Sequence, residues 1–233
     1  MLYSRSYKPK KNDLIYHYCS AETFHSICTN KNIRLCDVFS MNDFMEMHWG
    51  YSIWEKVANN LITEFGYEFI DSIDKIIHIS GSKCLVLASC FSLDGDVLSQ
   101  WRAYSNDGNG YCIGFNSKDL LKLNIKALKV EYNEQKQIKE LTSVIKALYS
   151  VEQNLREEEQ FGEDFFNACS NIAFDLVAFK NPAFSEEKEI KTNPIKKVII
   201  GPKNLVLSSA ISVYLETLNL GDIEIERSKS SYR

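Results

Sequence analysis

Apolar and polar residues alternate along this chain in two rhythms. Leu14–Tyr18 is a short apolar and aromatic run with the two-residue period of a strand. Ser20 follows as an N-cap, with Glu22 in the first turn, and Phe24, Ile27 and Cys28 then recur at helical spacing until Asn30-Lys31-Asn32. Ile33–Cys36 reads as a second strand, and Ser40–Asp43 as a polar turn. A long helix follows, carrying Ile53, Trp54, Val57, Leu61, Ile62 and Phe65 on one stripe and stopping at Gly66. The next helix carries Phe69, Ile70, Ile73, Ile76 and Ile77.

Cys84–Phe91 is a continuous apolar run of strand length, expected as one central strand covered on both faces. Asp94-Gly95-Asp96 turns into a short helix with Leu98, Trp101 and Tyr104. A glycine-rich loop, Asn106–Gly110, leads to strands at Tyr111–Phe115 and Ile125–Tyr132. Glu134–Phe179 reads as two helices joined near Glu157–Gly162, with Asn181-Pro182 ending the second. Pro194–Ile200 is a strand, Asn204–Leu218 a helix and Ile223–Glu226 a last strand. Helices interspersed with closely spaced short strands predict an α+β fold: a mixed central sheet with flanking helices, over a single domain, 1–233.

Composition agrees with a packed core. Of 233 residues 45% are hydrophobic and 25% charged, and a chain of this size buries roughly 70% of its unfolded surface without help from disulfides or metals. The net charge of −4 argues against a broad nucleic-acid surface while leaving room for a local basic pocket. Seven cysteines without a C-x-x-C pair signal neither a disulfide framework nor a zinc ribbon, and the four histidines have no metal-ligand spacing, so no metal is expected. Met1–Asn12 lacks the apolar stretch of a signal peptide, and no apolar run is long enough for a bilayer, so the expectation is a cytoplasmic protein without a membrane partner.

Four motifs carry candidate chemistry. In Tyr16-His17-Tyr18, strand alternation puts both tyrosines on one face and His17 on the other; such a histidine orients a ribose or base, or is simply satisfied within the sheet. Met41-Asn42-Asp43 with Glu46 reads first as helix capping. In Ser99-Gln100-Trp101-Arg102-Ala103-Tyr104, Trp101 and Tyr104 are neighbours on one helix face, as are Ser99 and Arg102. An arginine beside an aromatic and a glycine-rich loop suits a phosphate or carboxylate, the alternative being a structural pair with Asp94, Asp96 or Asp107. Gly108 and Gly110 form neither a dinucleotide fingerprint nor a P-loop, and a hairpin turn accounts for them equally. Finally, strand alternation would place Glu187 and Glu189 on one face, where carboxylates serve as bases or stabilise a cationic sugar carbon; a solvated edge is the commoner use of such a run.

Together with Ile33–Leu35, Cys90–Ser92, Gly108–Phe115, Phe184–Glu189, Ile199–Pro202 and Ser230-Ser231-Tyr232-Arg233, these motifs resemble the bacterial domain of unknown function 2971 family over nearly the whole chain. The opening order of strand, Tyr-His-Tyr, helix and strand is remotely similar to ADP-ribosyltransferase-type folds. That resemblance implies an enzyme using NAD to modify a nucleic acid or protein, as a phage-defence or toxin effector. It would use His17 to orient a ribose, and Tyr18, Trp101 or Tyr104 to stack on nicotinamide. Arg34 or Arg102 would hold the pyrophosphate, and Glu189 with Glu187 would act at the sugar carbon. The resembled family usually follows its late glutamate with an arginine and further strands, whereas here Ile190-Lys191-Thr192 leads almost directly to Pro194–Ile200. That shortening favours a second expectation, a noncatalytic module that binds a nucleotide or nucleic-acid end as a sensor.

Overall fold

The computed structural model describes residues 5–10, 13–37, 45–83, 87–120, 127–187, 189–190, 195–217 and 223–230. Its elements run β1 (Leu14–Cys19), α1 (Ala21–Asn30), β2 (Cys36–Asp37), α2 (Met45–Phe65), α3 (Tyr67–Lys83), β3 (Leu87–Ala88), β4 (Phe91–Ser92), α4 (Leu98–Tyr104), β5 (Tyr111–Asn116), α5 (Ser117–Leu120), α6 (Glu134–Gln153), α7 (Glu163–Asp175), β6 (Glu189–Ile190), β7 (Ile195–Ile200), α8 (Ser208–Thr217) and β8 (Glu224–Arg227). The fold is α+β, as the residue pattern predicts. Its backbone contacts divide into two compact units. One comprises Met1–Ser6, Cys36–Ala88 and Val130–Ser185, and the other Tyr7–Leu35, Ser89–Lys129 and Glu186–Arg233.

The first unit is chiefly helical. The apolar stripes of α2, α3, α6 and α7 meet in one core, with Ile53, Val57, Ile73, Leu141, Ile145 and Cys169 fully enclosed. Gly66 ends α2 at φ +85°, a left-handed position that favours glycine, and its N–H closes on the Ile62 carbonyl. A buried amide sets the approach to α6. Gln137 donates to the carbonyls of Glu131 (2.6 Å) and Lys180 (2.8 Å) and accepts from Trp49 Nε1 (3.0 Å), so both ends of the side chain are used. The small sheet β2–β3 is antiparallel.

The second unit holds a six-stranded mixed sheet in the order β6-β4-β1-β5-β7-β8, antiparallel except for β7–β8. Ile15, Cys19, Phe91, Ile113, Phe115, Val198 and Ile200 join Phe24 and Ile27 of α1 and Ile211 and Leu215 of α8 in one core. Tyr18, Cys112 and Ile199 join Trp101 of α4 in another. The alternation expected along β1 is therefore present, with Tyr16 and Tyr18 on the α4 side. The predicted cap of α1 forms as well, since Ser20 Oγ accepts from the Thr23 N–H.

Several expected elements differ, each for a local reason. Cys84–Phe91 is not one strand: Leu87–Ala88 pairs with β2, and Phe91–Ser92 pairs with β1 and β6, while 84–86 lie outside the described residues. Between the two pieces the Cys90 carbonyl is taken by His17 Nδ1 rather than by a ladder. The second strand is confined to Cys36–Asp37. Among the described residues of Ile125–Tyr132 there are only isolated bridge positions, Leu128 and Glu131, the latter paired with Phe179; Glu131 Oε1 accepts the N–H groups of Tyr132 and Asn133 and turns the chain into α6. The helix expected to run to Phe179 ends at Asp175, with a 3-10 turn at Leu176–Ala178 after it. The helix expected from Asn204 starts at Ser208, since Asn204 uses its side chain on Val206 N and the Gly110 carbonyl.

Candidate functional site

The β1–β4 ladder consists of one register pair, Tyr16 with Ser92. These two strands and α4 contribute the lining of a cavity of about 60 Å³, formed by Tyr16, His17, Tyr18, Cys90, Phe91, Gln100 and Tyr104. All seven residues belong to the sheet-bearing unit. The wall combines tyrosine and phenylalanine rings with two polar groups, the imidazole and the amide.

His17 Nδ1 lies 3.0 Å from the Cys90 carbonyl oxygen. A carbonyl only accepts, so Nδ1 carries the proton of that bond. Burial lowers the pKa of the ring, the Cys90 bond opposing it weakly, so the imidazole is neutral at pH 7 and Nε2 is a bare acceptor. The ring leans against Phe91, with centroids 5.4 Å apart.

Gln100 is 8% exposed and, in contrast to Gln137, makes no hydrogen bond among the described residues. Its place in the cavity wall presents an acceptor oxygen and an NH2 donor to whatever enters. It stands four residues before Tyr104, hence on the same face of α4.

Behind this face α4 is anchored. Trp101 is 0% exposed, meets Tyr18 edge to face with centroids 4.9 Å apart, and donates from Nε1 to Asp96 Oδ1 at 2.7 Å. The Tyr18 hydroxyl donates to the Asp94 carbonyl (2.9 Å) and accepts from Val97 N (2.8 Å); burial raises its pKa and keeps it a neutral phenol. Asp96 also accepts from Ser228 Oγ, Lys229 N (2.7 Å), Ser230 N (3.1 Å) and Ser230 Oγ (2.8 Å). Partial burial pushes its carboxyl up, but the bonds from Ser228, Trp101, Ser230 and Lys229 outweigh it and hold the pKa below the ordinary 3.8. A depressed folded-state value adds stability that is complete above 3.8 and lost as pH falls through the lower folded value. Urea midpoints of the wild type should therefore drop more steeply than those of Asp96→Asn as pH is lowered below 3.8; parallel pH profiles would refute this role.

The structure thus gathers His17, Tyr18 and Tyr104 from the expected set into one cavity. Trp101 does not line it and is sealed behind it, so its aromatic faces serve the core. Arg102 is exposed on α4 and Arg34 is exposed in the segment before β2; neither lines the cavity. Glu187 closes a 3-10 turn (Pro182–Glu187) and Glu189 opens β6, so the two are not on one strand as expected. Glu189 pairs in register with Ser92, which pairs with Tyr16, and so joins the Tyr16 row of the sheet. Met41-Asn42-Asp43 lies outside the described residues. Gly108 does not make a hairpin: at φ +84° it caps α4, its N–H donating to the carbonyls of Trp101 and Ser105. Asp107 pairs with Lys203 at 2.9 Å.

Gln100, Cys90, Tyr16 and Phe91 complete the lining without having been assigned a role from the sequence. The spacing of Gln100 and Tyr104 was the available signal, since residues four apart share a helix face as surely as the three-apart pair Trp101 and Tyr104.

Among the described residues no helix is long and apolar enough to cross a membrane, and no group of three histidine, cysteine or acidic side chains could hold a metal. Comparison supports the family expectation over part of the chain: residues 100–191 match the family model described as Protein of unknown function (DUF2971), a stretch that includes most of the Ser-Gln-Trp-Arg-Ala-Tyr motif but not Tyr16-His17-Tyr18. No curated protein and no solved structure matches the chain.

Proposed function

We propose that the cavity beside His17 binds the ring end of a nucleotide, free or at a nucleic-acid terminus, with NAD among the candidate ligands. The observation that carries this reading is the Gln100 amide, without a hydrogen bond to another described residue, set among Tyr16, Phe91 and Tyr104 in the same wall as a neutral imidazole. A planar ring edge with its own donors and acceptors satisfies the amide, gives Nε2 a proton donor and is flanked by aromatic side chains. Size limits the reading. About 60 Å³ is well below the ~150 Å³ that encloses a benzene ring, so an edge enters and the sugar and phosphates remain outside. Arg102, exposed on α4, is the nearest cation in sequence to the lining residue Gln100 and is our candidate for the phosphate contact.

Calorimetric titration with NAD, nicotinamide mononucleotide, ATP and a 5′-phosphorylated oligonucleotide tests this. At least one should bind, and Gln100→Leu should weaken it by about 5- to 150-fold, the equivalent of ~1–3 kcal/mol for a lost buried hydrogen bond. Affinity should be level above pH 6.5, the ordinary histidine value, and fall only below it as His17 takes a proton and Nε2 becomes a donor. Failure of all four ligands to bind sinks the proposal.

ADP-ribosyl transfer is the second reading, favoured by the placement of Glu189 in the same sheet as His17, two strands away through β4. It requires release of nicotinamide from labelled NAD by the wild type and its loss in Glu189→Gln. Binding without turnover supports the noncatalytic module, a sensor in a defence or toxin system.

A further inference from the structure

The corner between α6 and α7 exposes apolar side chains that the helical core does not use. Val151 in the last turn of α6 and Leu155 just past its C-cap are 58% and 37% exposed. The chain then turns back: Phe161 N donates to Glu152 Oε2 at 2.9 Å and Gln160 Nε2 to the Leu155 carbonyl at 3.3 Å, which holds Phe161 beside them. Phe161 rests edge-on against the buried Phe165, with centroids 5.0 Å apart, yet remains 40% exposed, and Phe166 in the first turn of α7 is exposed as well. Phe161 also has φ +57°. A left-handed conformation costs a residue with a Cβ about 1–2 kcal/mol, and an aromatic one is seldom found there.

Charge identifies what would cover this surface. Glu157, Glu158, Glu159, Glu163 and Asp164 are all exposed around the corner. The one base among residues 153–174 is Arg156, which already pairs with Glu158 and Glu159. An acidic rim repels an anionic lipid surface and a second acidic copy of this chain, and it attracts Lys and Arg.

We infer that the α6–α7 corner docks a protein partner through a basic amphipathic helix, whose apolar side chains cover Val151, Leu155, Phe161 and Phe166 while its lysines or arginines face the acidic rim. This is the helix-in-groove mode with charge setting the partner. It is independent of the nucleotide reading, since every residue involved belongs to the helical unit.

Fluorescence anisotropy with a labelled synthetic helix of leucine and lysine, against the same helix with glutamate in place of lysine, tests the inference at physiological salt. The lysine peptide should bind and the glutamate peptide should not. Affinity should fall by about tenfold or more both in the triple variant Glu157→Gln, Glu158→Gln, Glu159→Gln and in Phe161→Gly, a change that suits the backbone angle while deleting the ring. Val151→Ser, on an exposed helix face, provides a second apolar deletion if Phe161→Gly does not fold. Equal binding by the triple variant or by the apolar deletion overturns the inference, as does no binding to the wild type. Self-association in sedimentation that Phe161→Gly or Val151→Ser abolishes would assign the surface to a second copy and overturn it too.

Discussion

Trp101→Ala will lower the unfolding free energy by about 3–5 kcal/mol, the range for deleting a large buried aromatic side chain. The indole is completely enclosed among Tyr18, Cys112 and Ile199, so its removal leaves a void that backbone held in a six-stranded sheet cannot readily collapse to fill. It also deprives Asp96 of one of the donors that keep its carboxylate ionised. Trp101→Phe separates the two effects, because it keeps most of the ring volume and loses Nε1; it should cost about 1–3 kcal/mol. The denaturant midpoint reads both. Since Gln100 and Tyr104 flank the indole on the same short helix, nucleotide affinity should fall with Trp101→Ala at temperatures where the protein is still folded. A midpoint unchanged by Trp101→Ala would mean that α4 is not seated as described.

Gly110→Ala is expected to be the most costly of the glycine substitutions. A Cβ there would stand 2.1 Å from the Cys19 carbonyl oxygen and 2.6 Å from Ser105 Oγ. The first of these is backbone of β1, opposite Tyr111 in the ladder, so relief requires strands to move. The cost should reach or exceed the ~1–3 kcal/mol typical of overpacking. Gly66→Ala is the internal comparison. Nothing lies within 4 Å of its hypothetical Cβ, and its only penalty is the left-handed angle, about 1–2 kcal/mol. Thermal unfolding should rank Gly110→Ala below Gly66→Ala; the reverse order would show that the loop before β5 yields easily.

The long periodic elements were legible because burial imposes their spacing. The stripe from Ile53 to Phe65 could face only a core, and the Ser20 cap and Gly66 stop bounded helices that exist. Short strands were harder. Cys84–Phe91 has the apolarity of one strand, yet pairing partners rather than hydrophobicity decide where a ladder breaks, and His17 competes for the Cys90 carbonyl from 73 positions away. At the candidate site, Tyr16-His17-Tyr18 and the α4 motif were identified as carriers of chemistry, but the roles within the motif were partly exchanged. Trp101, the residue most suited to stacking, is also the most apolar and goes inward. Gln100, which looks unremarkable in sequence, comes to notice only through its place in the cavity wall.

The order of strands in the sheet has a consequence for biosynthesis. β5 has β1 on one side as soon as it emerges, but its other neighbour, β7, lies about eighty residues further along the chain. At ~5–20 residues per second of translation, the Tyr111–Asn116 edge waits about 4–16 s with its amides uncovered. That strand is almost wholly apolar, the kind of open edge on which nascent chains stick to one another. Yield in cells should therefore respond to translation speed between β5 and β7 and to chaperones that shield a strand edge, even where the finished protein is stable.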